Sequence, residues 1–432
     1  MKRFAVVLLL TTVFACRKDN EKIPVDLDSD FNLVYGSTAG EQVFAAARSA
    51  DGGYVLAGSI KGVSGNPGNT DAWVLKLDRQ GKMIWQKSFG GSDYELAFSA
   101  ASTLDGGYII AGSANSNDGD ISGNHGNSDA WVIKIDKNGN KEWQSLLGGS
   151  ASDFATSVLP TSDGGYIMAG QTASANGDVS NNHGSTDAWV VKLDRNGKKQ
   201  WQKTFGGTGI EKANSIIETS EGDYIMTGTT NSNDGDVTGY HVGWGMWVGN
   251  FDGWVVRLSK DGNLLWNKAF GGSNADQINS IVQNIDNSYT FAGFTRSNDF
   301  DVFGNHGGED AWVVNIDKEG KILWRKVLGG SGDDLADFIT STQDGGYVLA
   351  GFTSSNNGDV SGNHGSEDAW MIKLDQGGSK QWQRTLGGSG NDIARVVMQR
   401  ANGSFVMVGS SGSNDGDVNA AGGAWIVTIK DH

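Results

Sequence analysis

The chain has 432 residues, with 65 Gly and 15 Trp but only 3 Pro and a single Cys. Glycine plus proline make up about 16%, below the roughly 25–30% of low-complexity chains, and glycine has no period of three, so neither disorder nor a collagen-like helix fits. One cysteine leaves no disulfide framework and no CxxC zinc site, and 34 basic against 50 acidic residues, net −16, argue against a nucleic-acid partner.

In chain order, Lys2 and Arg3 precede an apolar stretch from Phe4 to Phe14, too short to span a bilayer, where about 20 residues are needed. The stretch ends in Val13-Phe14-Ala15-Cys16. This end resembles the lipobox of bacterial lipoproteins, with Phe14 bulkier than the usual residue there. The resemblance implies a signal peptide over 1–15, lipidation of Cys16 and a location in the cell envelope, anchored in a membrane by lipid. The alternative is an ordinary secretory signal with an incidental cysteine. Residues 16–30 are polar and charged and read as a tether. Within it, Lys18-Asp19-Asn20-Glu21 is similar to the export signals of some surface lipoproteins, and reads equally well as solvated linker.

From residue 31 onward one unit repeats. The string DGGYxxAG occurs at Asp51, Asp105, Asp163 and Asp344, with weaker copies at Glu221, Asp286 and Ala401. A second string, DAWVxK(L/I)D, carries Trp73, Trp131, Trp189, Trp254, Trp312, Trp370 and Trp425; a third, GxxxWQxxxGG, carries Trp85, Trp143, Trp201, Trp266, Trp324 and Trp382. Each unit holds four strand-like stretches, exemplified by Ala155–Thr161, Gly165–Gly170, Asp187–Asp194 and Gln200–Phe205. An Asp-Gly turn joins the first two, a long polar loop the middle pair, and an Arg-Asn-Gly-Lys turn the last two. No segment has a sustained helical period.

Four strands per unit, repeated radially, predict an all-β fold, a seven-bladed β-propeller over residues 31–432. The KLDxxGKxxWQ hairpin resembles the tryptophan-docking repeat of quinoprotein-type propellers, and the whole unit is similar to the glycine-rich propeller repeats of secreted and lipid-anchored bacterial proteins. The last unit stops after its third strand, at Ala424–Lys430. The N-terminal Phe31–Ser37 segment is expected to supply the fourth, with Phe31 in the tryptophan slot, Tyr35 in the Phe89 slot and Gly36 in the Gly90 slot. Such pairing would seal the ring and leave few exposed edges.

Strand parity puts the long loops and the GGSxxD crossovers on one face and only tight turns on the other, so a binding site is expected on the loop-rich face. Five of six histidines (His125, His183, His241, His306, His364) share one loop slot, where a structural bond to loop backbone is favoured over zinc, because residues spread round a ring do not converge. Asp118/Asp120, Asp234/Asp236 and Asp299/Asp301 form Asp-x-Asp pairs in the same loop. They read first as turn chemistry and second as calcium ligands, the one cofactor considered. The Ser/Thr-flanked Asp-Gly-Gly-Tyr is faintly similar to the Asp-box of sialidase-type propellers, a hairpin device.

Departures from the repeat are the better guide to function. The fourth unit inserts seven residues after His241, bringing Trp244 and Trp247, the two tryptophans outside the repeat slots. With Tyr240, Phe251 and Arg296 they form the candidate ligand-binding set, either stacking on a glycan or anchoring a protein, or else plugging the channel. The leading expectation is a non-enzymatic, monomeric binding module for a glycan or an envelope or extracellular protein. The rivals are a polysaccharide-acting hydrolase or lyase, which would need clustered unrepeated carboxylates in an axial cleft, and an envelope-assembly scaffold. The scaffold rests on analogy with the propeller lipoprotein of the outer-membrane barrel assembly machinery.

Overall fold

A computed structural model describes residues 30–36, 40–61, 69–241, 250–418 and 422–431. Cys16, Trp244 and Trp247 lie outside the described residues. Those described form seven four-stranded antiparallel sheets and no helix. In blade three the strands are Asp153–Pro160, Tyr166–Thr172, Asp187–Leu193 and Lys199–Phe205, in that order across the sheet. The middle strands are near-continuous apolar runs and are buried on both faces, since each blade packs between two others. The core is therefore a ring of inter-blade layers: Ile109, Ala111 and Val132 of blade two pack with Met168, Trp189 and Val191 of blade three.

The two tryptophan slots do different work. The third-strand Trp189 is fully buried, and its indole N–H donates to Gln202 Oε1 of the outer strand at 2.8 Å, as Trp131 does to Gln144 and Trp370 to Gln383. Burial of one such ring is worth roughly 4–6 kcal/mol before entropy is subtracted. The outer-strand tryptophan instead docks on the next blade. Trp85 Nε1 donates to the Lys137 carbonyl at 3.1 Å, and its ring meets Tyr108 edge-on at 6.2 Å. Under five of the six docked tryptophans the turn residue is glycine. At Gly197 a Cβ would lie 2.4 Å from the Trp143 ring, and φ is +79°.

The Asp-Gly turn and the third-strand lysine prove to be one device. Lys192 is buried, yet its ammonium reaches Asp163 at 2.8 Å; Lys76–Asp51, Lys134–Asp105 and Lys373–Asp344 repeat the pair. Burial pushes the Asp163 carboxyl up, but bonds from Lys192, Thr161 and the Gly165 N–H outweigh it and hold the group at about 2. Where the turn motif is degraded the lysine is gone too: Arg257 pairs with Glu221 and Asp223, and Asn315 bonds Ser288 and Thr290.

Closure follows the expected slots. The seventh sheet runs Asn32–Tyr35, Gly423–Ile429, Phe405–Ser411, Asp392–Gln399. Phe31 sits edge-on to Tyr54 at 6.2 Å, matching Trp85 on Tyr108, while Asn32 takes the glutamine role by accepting from Trp425 Nε1 at 2.7 Å.

Candidate functional site

The loop-rich rim is built from hydrogen bonds to acidic side chains. In blade two, Asp118 Oδ1 accepts from the Ser92 N–H at 2.7 Å and the Asp120 N–H donates to the Gly90 carbonyl at 2.9 Å, tying the loop to the crossover. Asp234 with Thr208 and Asp299 with Ser273 repeat the first bond, and Asp236 with Gly206 and Asp301 with Gly271 the second. In blades three and six Asn176 and Asn357 accept the same bond, so the position requires an acceptor rather than a charge. Among the described residues no group of three or more His, Cys, Asp or Glu is arranged around a metal position.

The repeated histidines bond a carboxylate, not the loop backbone expected of them. His125 places both its N–H and Nδ1 on Asp129 Oδ2, at 3.0 and 2.6 Å, and the other four do the same with Asp187, Asp252, Asp310 and Asp368. Each of these aspartates is buried and faces a second buried acid across the glycine that follows the outer strand. A Cβ on Gly148 would stand 2.9 Å from Asp129 Oδ1 and 2.5 Å from Asp153 Oδ2. Asp153 is held by Thr172, by Ser174 and by the Gly149 N–H. The pattern recurs at Asp252 and Asp276, where desolvation, with Asp252 as a like-charged neighbour, pushes Asp276 up to about 7 against the pull of Thr295, Ser297 and the Gly272 N–H.

Against this regular rim, blade five is rebuilt. The slot occupied by Gly119, Gly177, Gly235, Gly358 and Gly416, all at φ of 63–67°, holds Phe300 at φ 51°. A bulky residue in the left-handed region is strained by about 1–3 kcal/mol. Its ring is 54% exposed and lies 4.8 Å from the His241 imidazole of blade four. Three residues on, the Ser122, Ser180 and Ser361 slot holds Phe303, 58% exposed, under the Arg325 guanidinium at 4.8 Å. Arg325 in turn stands where Gln144, Gln202 and Gln383 cap the third-strand indole in blades two, three and six, and buried Trp312 Nε1, like Trp73 Nε1 of blade one, has no partner among the described residues.

Of the candidate ligand set, Tyr240 and Phe251 are half-buried at the ends of the blade-four insertion. Tyr240 packs on the blade-four core and donates to the Asn250 carbonyl at 3.3 Å. Arg296 is exposed and ion-paired with Glu309 at 2.7 Å. Phe300, Phe303 and Arg325 escaped the sequence reading, although Asp-Phe-Asp-Val-Phe in place of Asp-Gly-Asp-Val-Ser was the signal.

A second irregularity lies on the axis. Every inner strand carries a bulge, at Thr156 between Ala155 and Ser157 in blade three, and the bulged residue lines the central channel. The seven are Phe44, Phe98, Thr156, Asn214, Asn279, Asp337 and Arg395. No two neighbouring blades from three to seven carry the same chemistry except the asparagine pair. Arg395 Nη1 meets Asp337 Oδ2 at 2.6 Å, and the Phe44 and Phe98 rings are 5.7 Å apart. Asp337 is the one carboxylate among these seven residues.

No known protein-family model matches the chain. It is similar to Regulatory protein FlaEY of Caulobacter vibrioides, 24% identical over 241 residues, or 52% of this chain, and spans about a quarter (24%) of that protein's length. Among solved structures it is similar to the Pan2 WD40 domain of Neurospora crassa, at 9% identity over 94% of this chain and 96% of that one, TM-score 0.48. Sqt1 from Chaetomium thermophilum is 10% identical over 94% and 100%, TM-score 0.47. The propeller assignment stands on the chain's own seven sheets.

Proposed function

We propose that this chain is a lipid-anchored envelope protein whose propeller binds a glycan or an extracellular protein through its loop-rich face at blades four and five. One observation carries the reading: blade five departs from the repeat at positions 300, 303 and 325 together, and the two phenylalanines are unfavourable to folding. Phe300 is strained by about 1–3 kcal/mol, two large rings face water, and Arg325 stands over one of them instead of capping Trp312. Stability does not select such changes, whereas exposed rings on a rigid rim are what a binding surface needs. Trp244 and Trp247 belong to the adjoining insertion and would extend the surface.

The test restores the repeat. The triple variant Phe300→Gly, Phe303→Ser, Arg325→Gln is expected to unfold with a free energy about 1–2 kcal/mol higher than wild type, because the strain at position 300 is relieved and two exposed rings are removed. On glycan and protein arrays the same variant is expected to lose the targets that wild type retains. Equal binding by both proteins would reject the surface. Anchoring is tested separately: Cys16→Ser should move the protein from the membrane fraction to the soluble one, and an unchanged distribution would remove lipidation from the reading.

A polysaccharide-cleaving role finds less support. Glycoside hydrolysis uses two carboxyl groups flanking the bond, and the described axial row supplies only Asp337.

A further inference from the structure

The axial channel is chemically unlike any other part of the ring, and the difference is confined to the bulged residues. The strand residues around them repeat: the acid that starts each inner strand is present in all seven blades, at Glu41, Glu95, Asp153, Glu211, Asp276, Asp334 and Asp392. Three residues later the repeat dissolves. A bulge residue aimed at an open axis packs against no core layer, so fold stability does not dictate its identity.

The arrangement is polar on one side and apolar on the other. Asp337 and Arg395 form an ion pair at 2.6 Å with side chains 18% and 33% exposed, so both heads reach the channel. Asn279 stands next to Asp337 in the ring, fixed by its amide donating to the Ala336 carbonyl at 3.1 Å. Thr156 donates to the Ala213 carbonyl at 2.5 Å, leaving its oxygen able to accept. Across from the amides, Phe44 and Phe98 form a tilted aromatic wall. Arg395 makes no other hydrogen bond among the described residues than that to Asp337, although a guanidinium carries five donors. The cavity they enclose is about 290 Å³.

We propose that this channel is a binding site for a single neutral pyranose, independent of the rim surface. A sugar ring has hydroxyls at its edge, each both donor and acceptor, and an apolar C–H face. A carboxylate beside a guanidinium presents an acceptor and a donor at the spacing of adjacent hydroxyls; the Asn279 amide N–H groups are taken by the Ala336 carbonyl and Asp337, so its Oδ1 adds a further acceptor. The phenyl wall takes the C–H face. The lining charges cancel, and the chain's net −16 opposes an anion, so a neutral sugar is favoured over a uronic acid. The volume lies at the small end of ligand pockets, which limits the occupant to one ring or the terminal ring of a chain.

Calorimetric titration of the full chain with glucose, galactose, mannose, N-acetylglucosamine and glucuronate tests this. At least one neutral sugar is expected to bind saturably with a millimolar dissociation constant, as its size dictates. Asp337→Asn and Phe98→Leu are each expected to weaken it at least about tenfold, with an unchanged melting profile showing that the fold is intact. The rim triple variant is expected to bind the sugar as wild type does. No saturable binding up to about 50 mM, preference for glucuronate, or equal affinity in the axial variants would each overturn the assignment.

Discussion

Replacing Phe31, Leu33 and Tyr35 together by alanine is expected to lower the unfolding free energy by roughly 3–6 kcal/mol, at about 1–2 kcal/mol for each half-buried side chain. These three residues are the apolar anchors of the closing strand. Phe31 packs on Tyr54 and under the Arg400 guanidinium at 4.9 Å, Leu33 reaches Gly81, and the Tyr35 hydroxyl donates to the Gly81 carbonyl. The strand joins residues about 400 positions apart, and its loss leaves the Gly423–Ile429 strand as an open edge. Denaturant titration measures the effect, with Leu323→Ala on an exposed outer strand as the control that should change stability by less than about 0.5 kcal/mol. Protease cleavage within blade seven should accelerate in parallel. A triple variant as stable as that control would mean that the ring is held closed by its inter-blade layers alone.

Stability is expected to fall by about 2–3 kcal/mol between pH 5 and pH 8, through Asp276 alone. Burial, with Asp252 across Gly271, raises its carboxyl from 3.8 to about 7. A raised acid binds its proton more tightly when folded, so its contribution is fully present below pH 3.8 and drains away as pH climbs to 7. Asp129, Asp187, Asp252, Asp310 and Asp368 are shifted in the same direction by burial, and act with the same sign. His241, raised first by its bond to Asp252, also loses its contribution as pH rises. The turn acids work the other way. Asp105, Asp163 and Asp344 sit at about 2, so their stabilisation is complete above pH 3.8 and is lost as pH falls toward 2. The two sets together place the stability maximum on the acid side of neutrality. Thermal melts at constant ionic strength measure it, and Asp276→Asn should flatten the descending limb. A melting temperature that is level or rises from pH 5 to pH 8 would show that the Asp276 carboxyl is not raised by its burial.

Most of the fold was legible because each blade is local. Hairpin turns, strand alternation and the two tryptophan slots all lie within one repeat, and Asp163 finds Lys192 only 29 residues away. Closure was legible too, since the last unit lacks a strand and the N-terminal segment has its pattern. The rim was half legible. The Asp-x-Asp loops read as turn chemistry and bond backbone N–H groups, whereas the histidines were assigned to backbone and found to serve buried aspartates.

The remainder depended on contacts between units. Whether an acid in one blade faces an acid from the next is decided by the crossover, not by either repeat, so the Asp252/Asp276 pairing left no mark in the sequence. Phe300 looks like any loop aromatic until its φ of 51° places it where five other blades need glycine.

By itself, then, the sequence determined seven blades, their strand order and the seal at Phe31–Tyr35, because those follow from short-range periodicity and a missing strand. Only the tertiary structure decided which residues meet on the axis. One extra residue in each inner strand reverses the side-chain alternation, and ring closure gathers Phe44, Thr156, Asp337 and Arg395 from a span of 352 residues. Alternation read along one strand has no access to that convergence, which is a property of the closed ring.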